Sequence, residues 1–507
     1  MKTLQLMLSC ALAAMLAHAQ DFVTYEEFGA VGDGKADDQK AIVAAHAAAN
    51  AKGLPVKAAD GRTYYIGKGA DVAVIKTDVD FGTASFVIDD RVLDNCRASI
   101  FRVAPSAPSF AVKGIGSLAA GQANIGVALP GPCLLEIRND KVRQYIRYGP
   151  NQNKGFPQKE VFIADATGAV DKRTPIIWDY ASVTSARAYP LDSRTLVIKG
   201  GSFTTIANQM ASKYSYHARG IAVERSNVRI EGLRHYVTGE GDHGAPYGGF
   251  ITVSYCANVV MTGCTFTAHK TYSTIGSAGK PVGMGSYDIS ANSSVNVSYV
   301  GCRQTTDIND RRYWGLFGSN YCKNLLYDDC VFSRFDAHMG VANATIRNSR
   351  LGHMGINAIG FGTFLVENST VCGRSFFNLR GDYGSTWKGE FIVRNCTFRP
   401  GNGDGTVCTL VVGSSIDWHD FGYPCHMPRR IVFDGLKIDD SRHPAKYDGP
   451  RIFGVFNAKN NGPDYVEKYP YHVTEEVVLR NVTTASGKEL VLSSSPYMFR
   501  NVKLVRE

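Results

Sequence analysis

One pattern of apolar and polar positions returns along the second half of the chain. It reads "SNVRIEGLRHY", "ANVVMTGCTFT", "SVNVSYVGCRQ", "KNLLYDDCVFS", "ANATIRNSRLG", "TFLVENSTVCG", "GEFIVRNCTFR", "RRIVFDGLKID" and "EEVVLRNVTTA". Each copy is a short β-branched run with period-two alternation, a turn holding Asn, Asp or Gly, and a second short run. That alternation predicts strands and no helix. The copies recur at intervals of roughly 18–45 residues, the range of stacked repeats. A sandwich or propeller also has short strands between such turns. A constant core motif at varying intervals fits a solenoid better, because loops of any length can leave one face of a coil. The expected fold is all-β: a right-handed, single-stranded parallel β-helix.

A different pattern precedes it. "FGAVGDGKADDQKAIVAAHAAANAKG", Phe28 to Gly53, has clustered glycines, three close aspartates and an alanine-rich run. The glycines lack P-loop spacing and the acids lack EF-hand spacing. The run from Gln39 to Ala51 predicts a helix ending near Gly53, with Asp38 as its N-cap. An open solenoid end exposes backbone donors and apolar side chains, so this segment is expected to be an N-terminal capping helix. The predicted layout is a leader at 1–19 and one β-helix domain at 20–507. Within that domain the cap spans about 20–53, early coils with insertions 54–219, regular coils with the groove 220–440, and closing coils 441–507.

The leader follows from Lys2, an apolar run and the small-x-small site Ala17-His18-Ala19, cut before Gln20. Cys10 has no lipobox around it. No later segment is long and apolar enough to span a membrane, so a secreted or periplasmic protein with no membrane partner is expected. Of the 12 cysteines, several recur at one place in the repeat, as in "TGCTF", "VGCRQ", "DDCVF" and "RNCTF". A cysteine fixed in a repeat is expected as a small core residue; zinc ribbons and thioredoxin chemistry need CxxC pairs that are absent. The formal charge of +9 falls by one with the leader's lysine and suits an acidic partner. The stretch "IRNDKVRQYIRYGPNQNKGFPQKE" packs Arg138, Lys141, Arg143, Arg147, Lys154 and Lys159 around tyrosines. It reads as a solvated insertion or as a basic wall where aromatic faces and cations meet sugars.

"GAVGDGKADDQKAI" resembles the N-terminal signature of the pectate-lyase-like superfamily of parallel β-helix proteins. That superfamily includes polysaccharide lyases, polygalacturonase-like hydrolases and tailspike depolymerases. The resemblance covers the cap and, through the repeat, most of the chain. It implies a polysaccharide substrate lying along a groove on the coil faces.

Equivalent positions of successive coils lie about 4.8 Å apart, so aligning the repeats predicts which residues meet. Past the shared strand come His269, Lys270 and Tyr272, then Asp307, Asp310, Arg311, Arg312 and Tyr313. Arg334, Asp336 and His338 follow, then His353 and Asn357, then Arg374, Asn378, Arg380 and Tyr383. A column of titratable groups is the expected active site, since stacked charges repel and must be compensated or used. P-loop, dinucleotide, HExxH and GxSxG motifs are absent, and no nucleic-acid partner is expected.

Two reactions on polysaccharides remain. Hydrolysis needs two facing carboxyl groups, with Asp307, Asp310 and Asp336 as candidates. The hydrolase motifs of the superfamily are only partly matched by "TTDIND" and are broken in "LGHMG" and "NLRGDY". β-Elimination at a uronic acid needs a cation to neutralise the carboxylate, a base and a proton donor. The expected catalytic set is His338 or Lys270 as base and Tyr313 or Tyr383 as donor. Arg312 and Arg380 neutralise the carboxylate, Asp336 orients His338, and His353 joins them. His269, Arg334, Asn357, Arg374, Asn378 and Arg147 are expected to bind substrate. The resemblance also implies a calcium ion, for which Asp307 and Asp336 are the candidate ligands. The expected function is a lyase for acidic, uronate-containing polysaccharides, with glycosaminoglycans such as chondroitin or dermatan sulfate favoured over pectins. A hydrolase or a noncatalytic glycan-binding β-helix are the alternatives.

Overall fold

A computed structural model describes residues 21–403, 408–413, 421–454, 456 and 461–507. The predicted leader, with Cys10, lies outside the described residues. No helix among the described residues is long and apolar enough to cross a membrane.

The repeats form a parallel β-helix. A 32-stranded sheet winds through the chain, with each strand hydrogen-bonded to its equivalent in the next coil. The period-two alternation explains why the coils close around a core. Leu196 pairs with Val228, and the inward column continues through Val259, Val297, Leu325, Ala344, Phe364, Phe391, Ile431 and Val477 to Leu504. Almost every member of that column is buried. Full burial of a Val, Leu or Phe side chain is worth about 1.5–3 kcal/mol, so the column repeatedly favours one register.

The turn residue of the repeat has a conformational reason. Gly232, Gly263, Gly301, Asp329, Asn348, Asn368, Asn395, Gly435 and Asn481 all have positive φ. Only Gly, Asn and Asp visit that left-handed region readily, so the turn chemistry was visible in the sequence. The residue after it is buried in every coil but the last, where Val482 is half-buried, and in four coils it is Cys264, Cys302, Cys330 or Cys396. The eleven described cysteines are all free thiols, and all but Cys96 are buried, as expected of core residues. At a second turn, Asn227, Asn258, Asn296 and Asn324 are left-handed as well. There the side-chain amides of Asn258, Asn296 and Asn324 each donate to the asparagine of the coil below, at 2.8–2.9 Å, and that of Asn227 donates to the Asp192 carbonyl.

The helix Gln39–Lys52 covers the first coil and buries Ala41, Ile42, Ala45, His46 and Ala49. Gly53 ends it at φ 68°, donating to the Ala49 carbonyl. Asp38 occupies the N-cap position but its side chain does not cap the helix. Its carboxylate accepts from the Val31 and Gly32 amides at 2.7 and 3.2 Å, tying down the glycine loop. Asp37 accepts the Gln39 amide instead, at 3.1 Å.

Between the coil strands Phe101–Val103 and Leu196–Ile206 the chain leaves the solenoid. There it forms a four-stranded sheet from Phe110–Ala111, Cys133–Gln144, Phe156–Ala164 and Ser185–Pro190. It has its own core around Leu135, Ile137, Phe162 and Ala188. A buried ion pair between Glu160 and Lys323, at 2.6 Å, locks it to the coils. The segment between Gln144 and Phe156 then reaches over the coil face.

Candidate active-site cleft

The strands Val331–Arg347, Arg350–Glu367 and Ser375–Asn378 stack so that Asp336 pairs with Asn357 and Asn357 with Asn378. Phe335, Ile356 and Phe377 alternate with them and point into the core. Arg334, Asp336 and His338 therefore share the outer face of one strand. Inserted loops cover that face, so Arg334 and Asp336 are buried although they point away from the core.

Two clefts flank this column. One, of about 460 Å3, is lined by Arg147, Arg334, His338 and Arg380, with Tyr214, Tyr216 and Tyr287 among its aromatic residues. The other, of about 410 Å3, is lined by His353, Arg374, Arg311, Tyr313 and Asn309. Trp314, Met354, Asn357 and Asn378 border both, so the clefts adjoin. Among the described residues the two are lined by five arginines and by no aspartate or glutamate.

The charges of the first cleft are arranged in pairs behind its surface. Arg334 donates to Asp336 at 2.6 Å and lies 5.1 Å from the Trp314 ring centroid. Its Nε and Nη1 are buried without a partner, as is Asp336 Oδ1. Arg380 grips Asp382 through both nitrogens at 3.0 and 2.6 Å, and Arg147 reaches the same carboxylate at 2.8 Å. Burial pushes the carboxyl of Asp336 up, but the charges of Arg334 and Arg380 outweigh it and hold it below the usual aspartate value. Asp382 is likewise lowered, with Arg380 and Arg147 overcoming burial. Both guanidiniums also lie against the Tyr383 ring, at 5.1 and 5.3 Å from its centroid. Burial raises the Tyr383 hydroxyl, and the two arginines oppose that rise.

His338 is held by a chain of amides. Asn320 donates to Asn292 at 2.8 Å, which turns its Oδ1 toward His338 Nδ1, also at 2.8 Å. The imidazole therefore carries its proton on Nδ1, and Nε2 keeps its lone pair. The ring meets Tyr383 edge to face at 5.2 Å. Burial lowers its pKa most; Asp336 opposes this, and Arg380, Arg334 and Arg147 push it further down, to about 3. His338 is a neutral base surrounded by guanidiniums.

The second cleft holds another neutral imidazole. His353 Nε2 donates to the Tyr313 carbonyl at 3.2 Å, and burial lowers its pKa, with Arg311 and Arg374 among the contributors.

Other predicted site residues lie elsewhere, because the segments 269–283 and 305–315 leave the coil as loops. His269–Lys270 pairs antiparallel with Tyr313–Gly315. The Lys270 ammonium donates to the carbonyls of Glu240 and Gly241 at 2.9 and 3.3 Å and lines neither cleft. His269 is buried between Glu240, at 3.1 Å from Nδ1, and Asp288, at 3.5 Å from Nε2. Burial alone would lower it, but the two carboxylates raise it to about 9. Arg312 is mostly exposed and forms a bidentate pair with Asp310. Asp307 lies on an exposed turn and accepts the Asn309 amide at 2.9 Å.

Calcium needs six to eight oxygen ligands. Asp336 is buried in its pair with Arg334 and surrounded by guanidiniums, while Asp307 is exposed. Among the described residues no group of three or more His, Cys, Asp or Glu side chains is arranged to hold a metal. The predicted pair does not fit the ion.

Of the basic insertion, Arg147 reaches the cleft, whereas Arg138 pairs with exposed Asp140. Tyr287, Trp314, Tyr214 and Tyr216 were missing from the predicted site. In sequence they resemble core aromatics; Tyr287 opens the coil strand Tyr287–Asn292, and Trp314, Tyr214 and Tyr216 reach the cleft from the segments that leave the coils.

No family model matches the chain. A segment of 98 residues is 32% identical to a capsule KL64-specific depolymerase of Klebsiella phage P510, covering 17% of this chain and 9% of that protein. The match thus spans under a tenth of the depolymerase. The tailspike gp61 of Pseudomonas phage phi297 resembles this chain with a TM-score of 0.53, at 14% identity, over 94% of this chain and 83% of its own. The surface adhesin PfbA of Streptococcus pneumoniae matches over 93% of this chain and 100% of its own, at 14% identity and a TM-score of 0.45. The chain has the right-handed parallel β-helix fold.

Proposed function

We propose that this right-handed parallel β-helix is an exported lyase that cleaves an acidic, uronate-containing polysaccharide by β-elimination. The observation that carries the reading is the cleft around His338. A neutral imidazole with a free Nε2 faces three arginines, and the nearby carboxylates are already ion-paired.

The chemistry follows from that arrangement. A uronate carboxylate entering the cleft meets the guanidiniums of Arg147 and Arg380, with the buried charge of Arg334 behind them. Their charge stabilises the enolate-like transition state and so acidifies the neighbouring C–H. His338 Nε2 takes that proton, the electron pair of the C–H bond becomes the new C=C bond, and the glycosidic C–O bond breaks. The departing oxygen takes a proton from a tyrosine. Tyr287, which lines the cleft and is kept protonated by burial, is the donor, with Tyr383 behind it. Substrate binding also tunes the base. The arginines that depress His338 are neutralised by the uronate, so its pKa rises when a proton is there to be taken.

Hydrolysis fits less well. It requires one carboxyl group to remain protonated as acid. Asp336 and Asp382 are both held below the ordinary aspartate value by arginines.

Chondroitin and dermatan sulfates are the first substrates to test, with polyuronates and acidic capsular polysaccharides beside them. The test is ultraviolet absorbance of the unsaturated uronate, run in parallel with a reducing-end assay. An absorbance rise lost in His338→Ala supports the lyase. New reducing ends without absorbance would replace it with a hydrolase, and binding without either product would leave a glycan-binding solenoid.

A further inference from the structure

The second cleft is not needed for the elimination just described, yet it is built for a ligand. Arg374 lines it, is exposed, and has no hydrogen-bond or ion-pair partner among the described residues. Most arginines of the coil face are paired; this one is left open to the cleft. Asn309 Oδ1 lines the same space, buried and without a partner. Buried polar atoms are rarely left unsatisfied, so such an atom in a cleft points to a group that arrives from outside. His353 has committed Nε2 to the Tyr313 carbonyl, which leaves Nδ1 as an acceptor.

Position also matters. His353 lies four residues before Asn357 on its strand, while His338 lies two residues after Asp336, the partner of Asn357 in the coil below. At about 3.3 Å per residue the two imidazoles are separated by at most roughly 20 Å along the strand direction. The shared wall of Trp314, Met354, Asn357 and Asn378 lies between them.

We infer that the second cleft is a subsite for an anionic substituent, carboxylate or sulfate, on a sugar neighbouring the one cut, with Arg374 as its counter-ion. Asn309 Oδ1 and His353 Nδ1 then accept hydroxyl or amide protons of that sugar. The inference rests on the lyase reading for its biological setting, but not for its test. It makes the protein selective for polymers that carry acid groups on adjacent residues, and it makes Arg374 a binding residue remote from the proton transfer.

Calorimetric binding of three tetrasaccharides tests it on the full mature chain. A polyuronate puts carboxylates on adjacent sugars; chondroitin sulfate puts a sulfate beside the uronate; unsulfated chondroitin leaves the neighbour neutral. The wild type is expected to bind at least one of the first two about ten-fold or more tightly than the third, the size of a charge-assisted contact. Whichever of the two is preferred identifies the anion as carboxylate or sulfate. Arg374→Ala and Arg374→Gln should both erase the preference while leaving the affinity for unsulfated chondroitin and the melting temperature unchanged. Equal loss for all three ligands, no loss for any, or no discrimination by the wild type would overturn the subsite. Absence of an elimination product would sink the lyase reading alone, because the binding difference does not depend on turnover.

Discussion

Arg147 Nε donates to Asp382 Oδ2 at 2.8 Å across 235 residues of sequence. The pair fastens the inserted segment to the coil face and holds the Tyr383 ring against two guanidiniums. Both side chains keep some solvent contact, which limits the pair's worth for stability to about 1 kcal/mol or less. Arg147→Ala is therefore expected to change the melting temperature little while raising KM for an acidic polysaccharide about ten-fold. Equal KM in the variant would mean that Arg147 only fastens the loop.

His338→Ala should lower kcat by about a hundred-fold or more, the usual weight of a positioned base. Asn320 acts through it by fixing the tautomer. Asn320→Asp puts a carboxylate on Nδ1, raises the imidazole pKa, and should move the acid limb of the kcat/KM profile to higher pH. Asn320→Ala should lower kcat with KM unchanged. A pH profile identical in all three proteins would remove His338 from the proton transfer.

The buried histidines predict a stability maximum. His269 is raised to about 9, so its contribution is complete below the ordinary histidine pKa and is lost as pH climbs through about 9. His46 and His338, lowered to about 3, act the other way: their contribution is present above about 6.5 and is lost as pH falls toward 3. Melting temperature should peak near neutrality and fall on both sides. His269→Asn should flatten the alkaline limb; a limb unchanged in that variant would show that Glu240 and Asp288 do not hold a charged imidazole.

Lys323 and Glu160 form a 2.6 Å pair with both side chains almost fully buried. Glu160 also accepts the Ile177 and Trp178 amides, so it is anchored to the inserted sheet. Lys323→Met leaves that carboxylate buried and unpaired, at a cost of about 3–5 kcal/mol. Denaturant unfolding measures it, and adding Glu160→Gln should recover part of the loss. A cost below about 1 kcal/mol would mean that water reaches the pair.

The thiols offer a check on the core. Burial pushes Cys256 and Cys322 up to about 12. In the native protein a thiol reagent should label Cys96 quickly and the other ten described cysteines only on unfolding. Rapid labelling of Cys264, Cys302 or Cys330 would contradict the packed column.

Several features of the site were legible before the fold was seen. The alignment of Asp336, Asn357 and Asn378 follows from the repeat alone, because parallel coils in register place equivalent residues one above another. Arg147 stood out as a cation in a tyrosine-rich insertion. Lys270 and Arg312 were aligned with the same column, but their segments leave the coil. Once outside it, their positions are set by loop contacts such as the antiparallel pairing of His269–Lys270 with Tyr313–Gly315. Tyr287 and Trp314 carried no signal separating a cleft wall from a core.

What the sequence determined by itself was the solenoid: period-two burial, left-handed turn residues and a capping helix are local properties repeated coil after coil, and each copy reinforces the same register. What only the tertiary structure decided was the chemistry of the face. Whether an outward arginine is solvated, paired or left open depends on which insertion folds over it. Arg334, Arg312 and Arg374 are the same residue type on neighbouring coils, yet one is buried on Asp336, one is exposed on Asp310, and one stands open to a cleft. Long-range loop packing sets the dielectric and the partners of each charge, and neither can be read from its neighbours in the chain.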